Sequence, residues 1–226
     1  MKYILFDIDG TLISTGGAGV RALNYAFKDE FHIDNAFSGL SLAGKTDLQI
    51  IKSALQRYEI PLSDDILSRL IGNYLSHLRI EINNNGRHLK PGVMALLERL
   101  SLRDDIRLGL LTGNLEPGAR IKLNAFRLNE YFPTGAFGSD CEDRNKLLPF
   151  AVQRYRRLYN EDISYSRCIV VGDTPRDIFC AKPYGARSIA TATGPYPKDA
   201  LRMAEPDLLL DDMSDIEAFL DFIQRL

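Results

Sequence analysis

Cysteine is scarce in this chain of 226 residues: Cys141, Cys168 and Cys180 form no CxxC pair and leave an odd count. A disulfide framework is not expected, and the three read as reduced intracellular thiols that serve packing. Histidine is equally sparse. His32, His77 and His88 stand far apart without HExxH or Cys/His zinc spacing, and read as surface or packing residues. There is no basic excess: 28 Lys and Arg face 30 Asp and Glu, scattered along the chain, for a net charge of −2. Nucleic acid is therefore not an expected partner. No apolar run approaches the roughly 20 residues that span a bilayer. The first apolar run begins too early to leave room for a signal peptide. The expectation is a cytoplasmic protein with no membrane partner, its oligomeric state open.

What the chain does have is a core-forming composition, 45% hydrophobic and 26% charged. Near-continuous apolar runs at Tyr3–Phe6, Arg107–Leu111, Gly135–Gly138, Cys168–Val171 and Arg187–Ala190, with a sixth at Asp207–Leu210, predict buried parallel strands. Helical periodicity alternates with them over Pro91–Leu102, Leu115–Phe126, Lys146–Leu158, Thr174–Tyr184 and Met213–Leu226. Alternating β and α implies an α/β protein with a doubly wound parallel sheet. Between the first strand and Pro91 the pattern is helical only: Val20–Phe27, Asp47–Tyr58 and Ser63–Ile82. The glycine cluster 16–19 and the Asn-Gly stretch 83–86 flank it as hinges. The division expected is a core of residues 1–14 and 89–226 with a helical insert at 15–88.

The first apolar run ends in two carboxylates one residue apart, Asp7 and Asp9, in Asp7-Ile8-Asp9-Gly10-Thr11. In extended chain alternate side chains share a side, so both can face one pocket. Two such acids repel unless a divalent cation, a proton shuttle or both belong there. Two further strands end in Thr112-Gly113-Asn114 and in Gly172-Asp173-Thr174-Pro175-Arg176-Asp177. Ligands bind at such carboxyl ends of open α/β sheets. Arg144-Asn145-Lys146, ahead of a helix, supplies cations. Carboxylates, a hydroxyl with backbone amides and a fixed positive charge suit phosphoryl transfer through magnesium and an aspartyl phosphate.

These four motifs resemble those of the haloacid dehalogenase superfamily. The chain as a whole is similar to its phosphoglycolate-phosphatase-like branch, including Leu89-Lys90-Pro91-Gly92-Val93 where the insert rejoins the core. The resemblance implies a Rossmann-like core, a helical cap over residues 15–88 and a magnesium-dependent phosphatase of a small phosphorylated metabolite. In that reading Asp7 attacks phosphorus. Asp9 protonates the leaving oxygen and later activates water. Asp7, the carbonyl of Asp9 and Asp173 hold magnesium, with Asp177 in support. Thr112, Gly113, Asn114, Gly10 and Thr11 cradle the phosphoryl group, and Lys45 reaches the substrate from the cap. One motif departs from the family pattern: Lys146 is followed by Leu147 and not by proline. Arg144 and Lys146 thus compete as the active-site cation, and Arg144, expected in the loop, is favoured.

Bland readings stand beside some of these. Thr174-Pro175-Arg176-Asp177 also reads as a helix start, with Asp177 as its acidic third residue. Lys45 also reads as an ordinary solvated lysine. Gly17-Ala18-Gly19-Val20-Arg21-Ala22 imitates a dinucleotide fingerprint but does not directly follow the strand, so it reads as a hinge. An acid at position 9 argues against a dehalogenase. A sugar-phosphate mutase and a non-catalytic binding protein remain as alternatives.

Overall fold

The computed structural model describes residues 1–226. In chain order its elements are β1 (Lys2–Phe6), β2 (Ile13–Thr15), α1 (Ala18–Phe31), α2 (Asp47–Arg57), α3 (Asp64–Glu81), β3 (Arg87–Leu89) and α4 (Val93–Ser101). Then come β4 (Ile106–Leu111), α5 (Glu116–Asn124), β5 (Gly135–Ala136), α6 (Leu147–Tyr159), β6 (Cys168–Gly172) and α7 (Pro175–Ala181). The chain closes with β7 (Arg187–Thr191), α8 (Lys198–Met203), β8 (Leu208–Leu210) and α9 (Ile216–Gln224). No helix is long and apolar enough to cross a membrane.

Six strands form one parallel sheet in the order β5-β4-β1-β6-β7-β8. Side chains alternate along a strand, and β1 shows the consequence. Ile4 and Phe6 pack with Val93, Leu97, Leu123 and Phe219 on one face. Tyr3 and Leu5 pack with Leu148, Ala151 and Ala181 on the other. Helices cover both faces, which is why the central strands read as continuous apolar runs instead of alternating ones. The expected strand at 135–138 shrinks to two residues, and the helix expected over 174–184 stops at Ala181. Pro183 lies in the tight turn that follows, where its missing N–H and ring end α-helical geometry.

Helices α1, α2 and α3 gather their own apolar cluster, in which Phe27, Ile51, Leu70 and Leu78 are central. The insert is tied to the sheet domain by a short antiparallel ribbon, β2 with β3, pairing Ile13 with Leu89 and Thr15 with Arg87. Sequence pattern did not reveal this ribbon, because three-residue strands carry no period. The insert also seats on α5. A methyl group placed at Gly118 would lie 3.7 Å from Leu75, Leu78 and Tyr74 of α3.

Candidate active site

β1, β4 and β6 are neighbours in the sheet and end together, because Phe6 is in register with both Leu110 and Val171. Their three following loops therefore meet at one point. Asp7, Asp173 and Asp177 come together with carboxylate oxygens within 4.8 Å of one another, all buried. Gly10 explains how the loops come so close. Its φ is +87°, and a Cβ there would sit 2.3 Å from Asp173 Oδ2. Only glycine adopts this backbone without strain and leaves room for the carboxylate.

Asp177 makes the helix-start contacts expected of it and also stands beside Asp7 and Asp173. Its Oδ2 accepts the Thr174 backbone N–H at 3.0 Å and the Thr174 hydroxyl at 2.8 Å, closing a capping box at the start of α7. Its Oδ1 faces the acidic cluster and accepts from Arg144 Nη2. Arg144 Nη2 also lies 3.0 Å from Asp7 Oδ1, with both side chains almost wholly buried. Of the two expected cations, the fold brings Arg144 and not Lys146 to the carboxylates. Lys146 is 68% exposed and reaches only towards Asp143. The physical reason is position: Arg144 opens a 3₁₀ turn and is buried in the site, and Lys146 closes that turn just before α6, facing solvent.

Burial pushes the Asp7 carboxyl up to about 6, against the pull of Arg144 and with Asp177 and Asp9 adding to the rise. Burial raises Asp173 as well, followed by repulsion from Asp7 and Asp177. One arginine does not balance three buried acids. The all-oxygen donor set and its uncompensated charge fit magnesium, which prefers oxygen ligands and few protein carboxylates. Thr11 is fully buried and donates to Asp173 Oδ1 at 2.8 Å. It therefore orients an acid of the cluster and does not line the cavity beside it.

That cavity, of about 280 Å³, is bounded by Asp7, Asp9, Gly10, Thr112, Gly113 and Asn114 from the core, and by Val20, Leu42, Lys45 and Asp47 from the insert. The insert approaches to backbone distance. Asp47 N–H donates to the Gly113 carbonyl at 2.8 Å, and a Cβ at Gly113 would meet the Lys45 carbonyl at 2.3 Å. Lys45 lines the cavity and makes no ion pair. Asn114 engages through its side chain, donating to Thr112 Oγ1 and to Asp9 Oδ2, each at 2.8 Å.

Two charged residues at the site escaped the sequence reading. Lys122, on the inner face of α5, places Nζ 2.7 Å from Asp9 Oδ2 and is 5% exposed. A lysine flanked by Ala119 and Leu123 on an apolar helix face was the available signal. Asp47, in the first turn of α2, looks like an ordinary helix-start acid. In the fold it is buried, accepts the Leu115 N–H at 2.9 Å, and has Tyr74 beside it. Burial raises the Asp47 carboxyl to about 6, with Lys122 opposing. Its unfolded value is lower, near 3.8, so ionisation opposes folding: stability falls as pH rises from about 4 to about 6 and is flat above. Asp47→Asn keeps an acceptor for Leu115 and is expected to stabilise by on the order of 2 kcal/mol at pH 8 and by almost nothing at pH 4. Thermal melts at the two pH values check this, and an equal shift at both would contradict it.

The family profile of haloacid dehalogenase-like hydrolases matches residues 4–191. A phosphoglycolate phosphatase of Agrobacterium fabrum is 28% identical over 93% of this chain and 88% of its own length. A second phosphoglycolate phosphatase, from Aliivibrio fischeri, is 26% identical over 97% of this chain and 96% of its own. Among solved structures, a CbbY variant from Rhodobacter sphaeroides in complex with xylulose-1,5-bisphosphate superposes with a TM-score of 0.75 at 21% identity, covering 95% of this chain and 96% of that one. With motifs, strand order and profile in agreement, the chain belongs to the haloacid dehalogenase-like hydrolase family.

Proposed function

We propose that the protein is a magnesium-dependent phosphatase that hydrolyses a small phosphorylated metabolite through a phosphoryl group carried on Asp7. One observation supports this most: the two acids of the β1 end are held by different partners. Asp7 is buried in the acidic cluster with Arg144. Asp9 is 40% exposed and bound instead by Lys122 and Asn114. Such divided environments suit divided roles, a nucleophile beside the cation site and a proton carrier facing the leaving group.

In this reading Asp7 attacks phosphorus and Asp9 gives its proton to the departing oxygen. Asp9 then takes a proton from the water that cleaves the aspartyl phosphate. Asp7, the Asp9 carbonyl, Asp173 and Asp177 would hold the magnesium, which supplies charge neutralisation for nucleophile and phosphoryl oxygens. Thr112, with the Gly113 and Asn114 backbone, cradles the phosphoryl group. Arg144 keeps a buried Nε without a hydrogen-bond partner. Residues 1–14 and 89–226 act as the catalytic core and residues 15–88 as a cap. The cap excludes water and contacts the leaving group through Lys45 and its apolar wall. The named relatives make phosphoglycolate the first substrate to try.

A phosphate-release screen over alkyl phosphates tests the reading. Turnover is expected with millimolar magnesium, to vanish in EDTA, and to return when magnesium is restored in excess. Full activity in a chelator-treated, metal-free preparation would overturn the metal-dependent mechanism.

A further inference from the structure

Lys122 is the most unusual charged group in the molecule outside the acidic cluster. Its ammonium is almost wholly buried, which is costly unless partners compensate. The partners are specific. Lys122 Nζ donates to Asp9 Oδ2 at 2.7 Å and also to the Asn114 side-chain oxygen. The Asn114 amide closes the triangle by donating to the same Asp9 Oδ2 at 2.8 Å and to Thr112 Oγ1. Asp9 Oδ2 therefore holds two donors, and Oδ1 has no partner among the hydrogen bonds of the structure. The terminal torsion of an aspartate is broad and roughly two-fold, so a half-exposed carboxylate left alone would swing. Two donors from different elements, α5 and the loop after β4, remove that freedom.

We propose that Lys122 is a positioning residue for Asp9: together with Asn114 it locks one carboxylate oxygen and presents the other, Oδ1, to the oxygen of the departing alcohol. The inference rests on Asp9 being the proton donor. As the bond from Asp7 to phosphorus forms, the bond from phosphorus to the alcohol oxygen breaks. The proton on Asp9 Oδ1 passes to that oxygen, and the resulting carboxylate charge is met by the two donors already on Oδ2. In the second half-reaction a water oxygen bonds phosphorus as the bond from phosphorus to Asp7 breaks, and a proton of that water passes to Oδ1. Because Asn114 also grips Thr112, the proton carrier is aligned with the phosphoryl cradle. Lys122 further sits against the insert, where a methyl group at Gly19 would lie 3.6 Å from its Nζ.

A purely structural lysine and a positioning lysine differ in one readout, the dependence on leaving group. An alkoxide must be protonated as it departs, whereas p-nitrophenolate leaves without help. kcat/KM, which reports the first irreversible step, is measured with magnesium for 2-phosphoglycolate or glycerol phosphate and for p-nitrophenyl phosphate. Lys122→Met is expected to lose about 100-fold on the alkyl ester and less than about 5-fold on the aryl ester. Lys122→Arg is expected to regain roughly tenfold of the alkyl loss. Circular dichroism confirms folding, and Lys122→Gln replaces the methionine variant if that one does not fold. Equal losses on both esters, or no loss on either, overturn the positioning role. Asp9→Asn separates the two levels. If it shows the alkyl-selective loss and the Lys122 variants do not, only the Lys122 inference fails. If Asp9→Asn shows no selectivity, the underlying reading of Asp9 fails.

Discussion

Asp7→Asn is expected to fold as the wild type does and to release no phosphate, a loss of roughly four orders of magnitude or more. The amide is nearly isosteric, so the cavity and the β1 register are retained. It cannot, however, attack phosphorus to form a labile acyl phosphate. Stability is expected to hold or rise slightly at neutral pH in EDTA. The substitution removes one of three mutually repelling buried acids, and one whose ionisation burial opposes. Magnesium-induced stabilisation should shrink, because a proposed ligand of the cation is lost. Phosphate release, thermal melts with and without magnesium, and the phosphoryl content of the acid-quenched Asp7 peptide check these outcomes together. Residual turnover at a tenth of wild type would show that the nucleophile lies elsewhere.

Arg144→Met should have the largest effect on stability. Arg144 is the one basic side chain paired with the cluster of Asp7, Asp173 and Asp177, and all of these are buried. Methionine fills much of the same volume but leaves the carboxylates uncompensated. Breaking a buried pair from one side costs about 3–5 kcal/mol. The loss is expected in full at pH 7–8 in EDTA. It should lessen near pH 5, because burial already holds Asp7 at about 6 and Asp173 well above the carboxylate range, so protonation relieves the repulsion. Millimolar magnesium should restore part of the stability without restoring turnover, since in the proposed mechanism the phosphoryl group would still lack its arginine. Denaturant titrations at pH 5 and pH 7.5, each with EDTA or magnesium, measure all four cells. An unchanged midpoint at pH 7.5 in EDTA would mean that the cluster does not depend on Arg144.

The further role assigned to Lys122 also bears on how the insert and the core work as one unit. Asp47 from α2 and Lys122 from α5 flank the same cavity, and each is held by a loop of the core.

Three of the four motifs were readable from the chain because their meaning is local. Asp7 and Asp9 alternate at a strand end, Thr112 follows another strand, and Asp173 and Asp177 flank a helix start. A parallel sheet then carries these loops to one edge, since neighbouring strands in register end at the same height. The sheet and its helices were legible for the same reason: buried strands and amphipathic helices each write a period into the sequence. Neighbourhoods across the fold wrote none. Arg144 and Lys146 are two residues apart and both cationic, and only the direction of a short turn sends one inward and the other to solvent. Lys122 and Asp47 lie 113 and 38 residues from Asp9 in the chain, respectively. Their environments come from burial, which strips water from an ammonium and a carboxylate and makes each dependent on the few groups beside it. Local pattern thus settles which chemistry the chain can offer, because residue type and strand position suffice for it. Which charged groups align that chemistry depends on desolvation and distances of a few ångströms, and those exist only once the insert, α5 and the β1 loop are packed together.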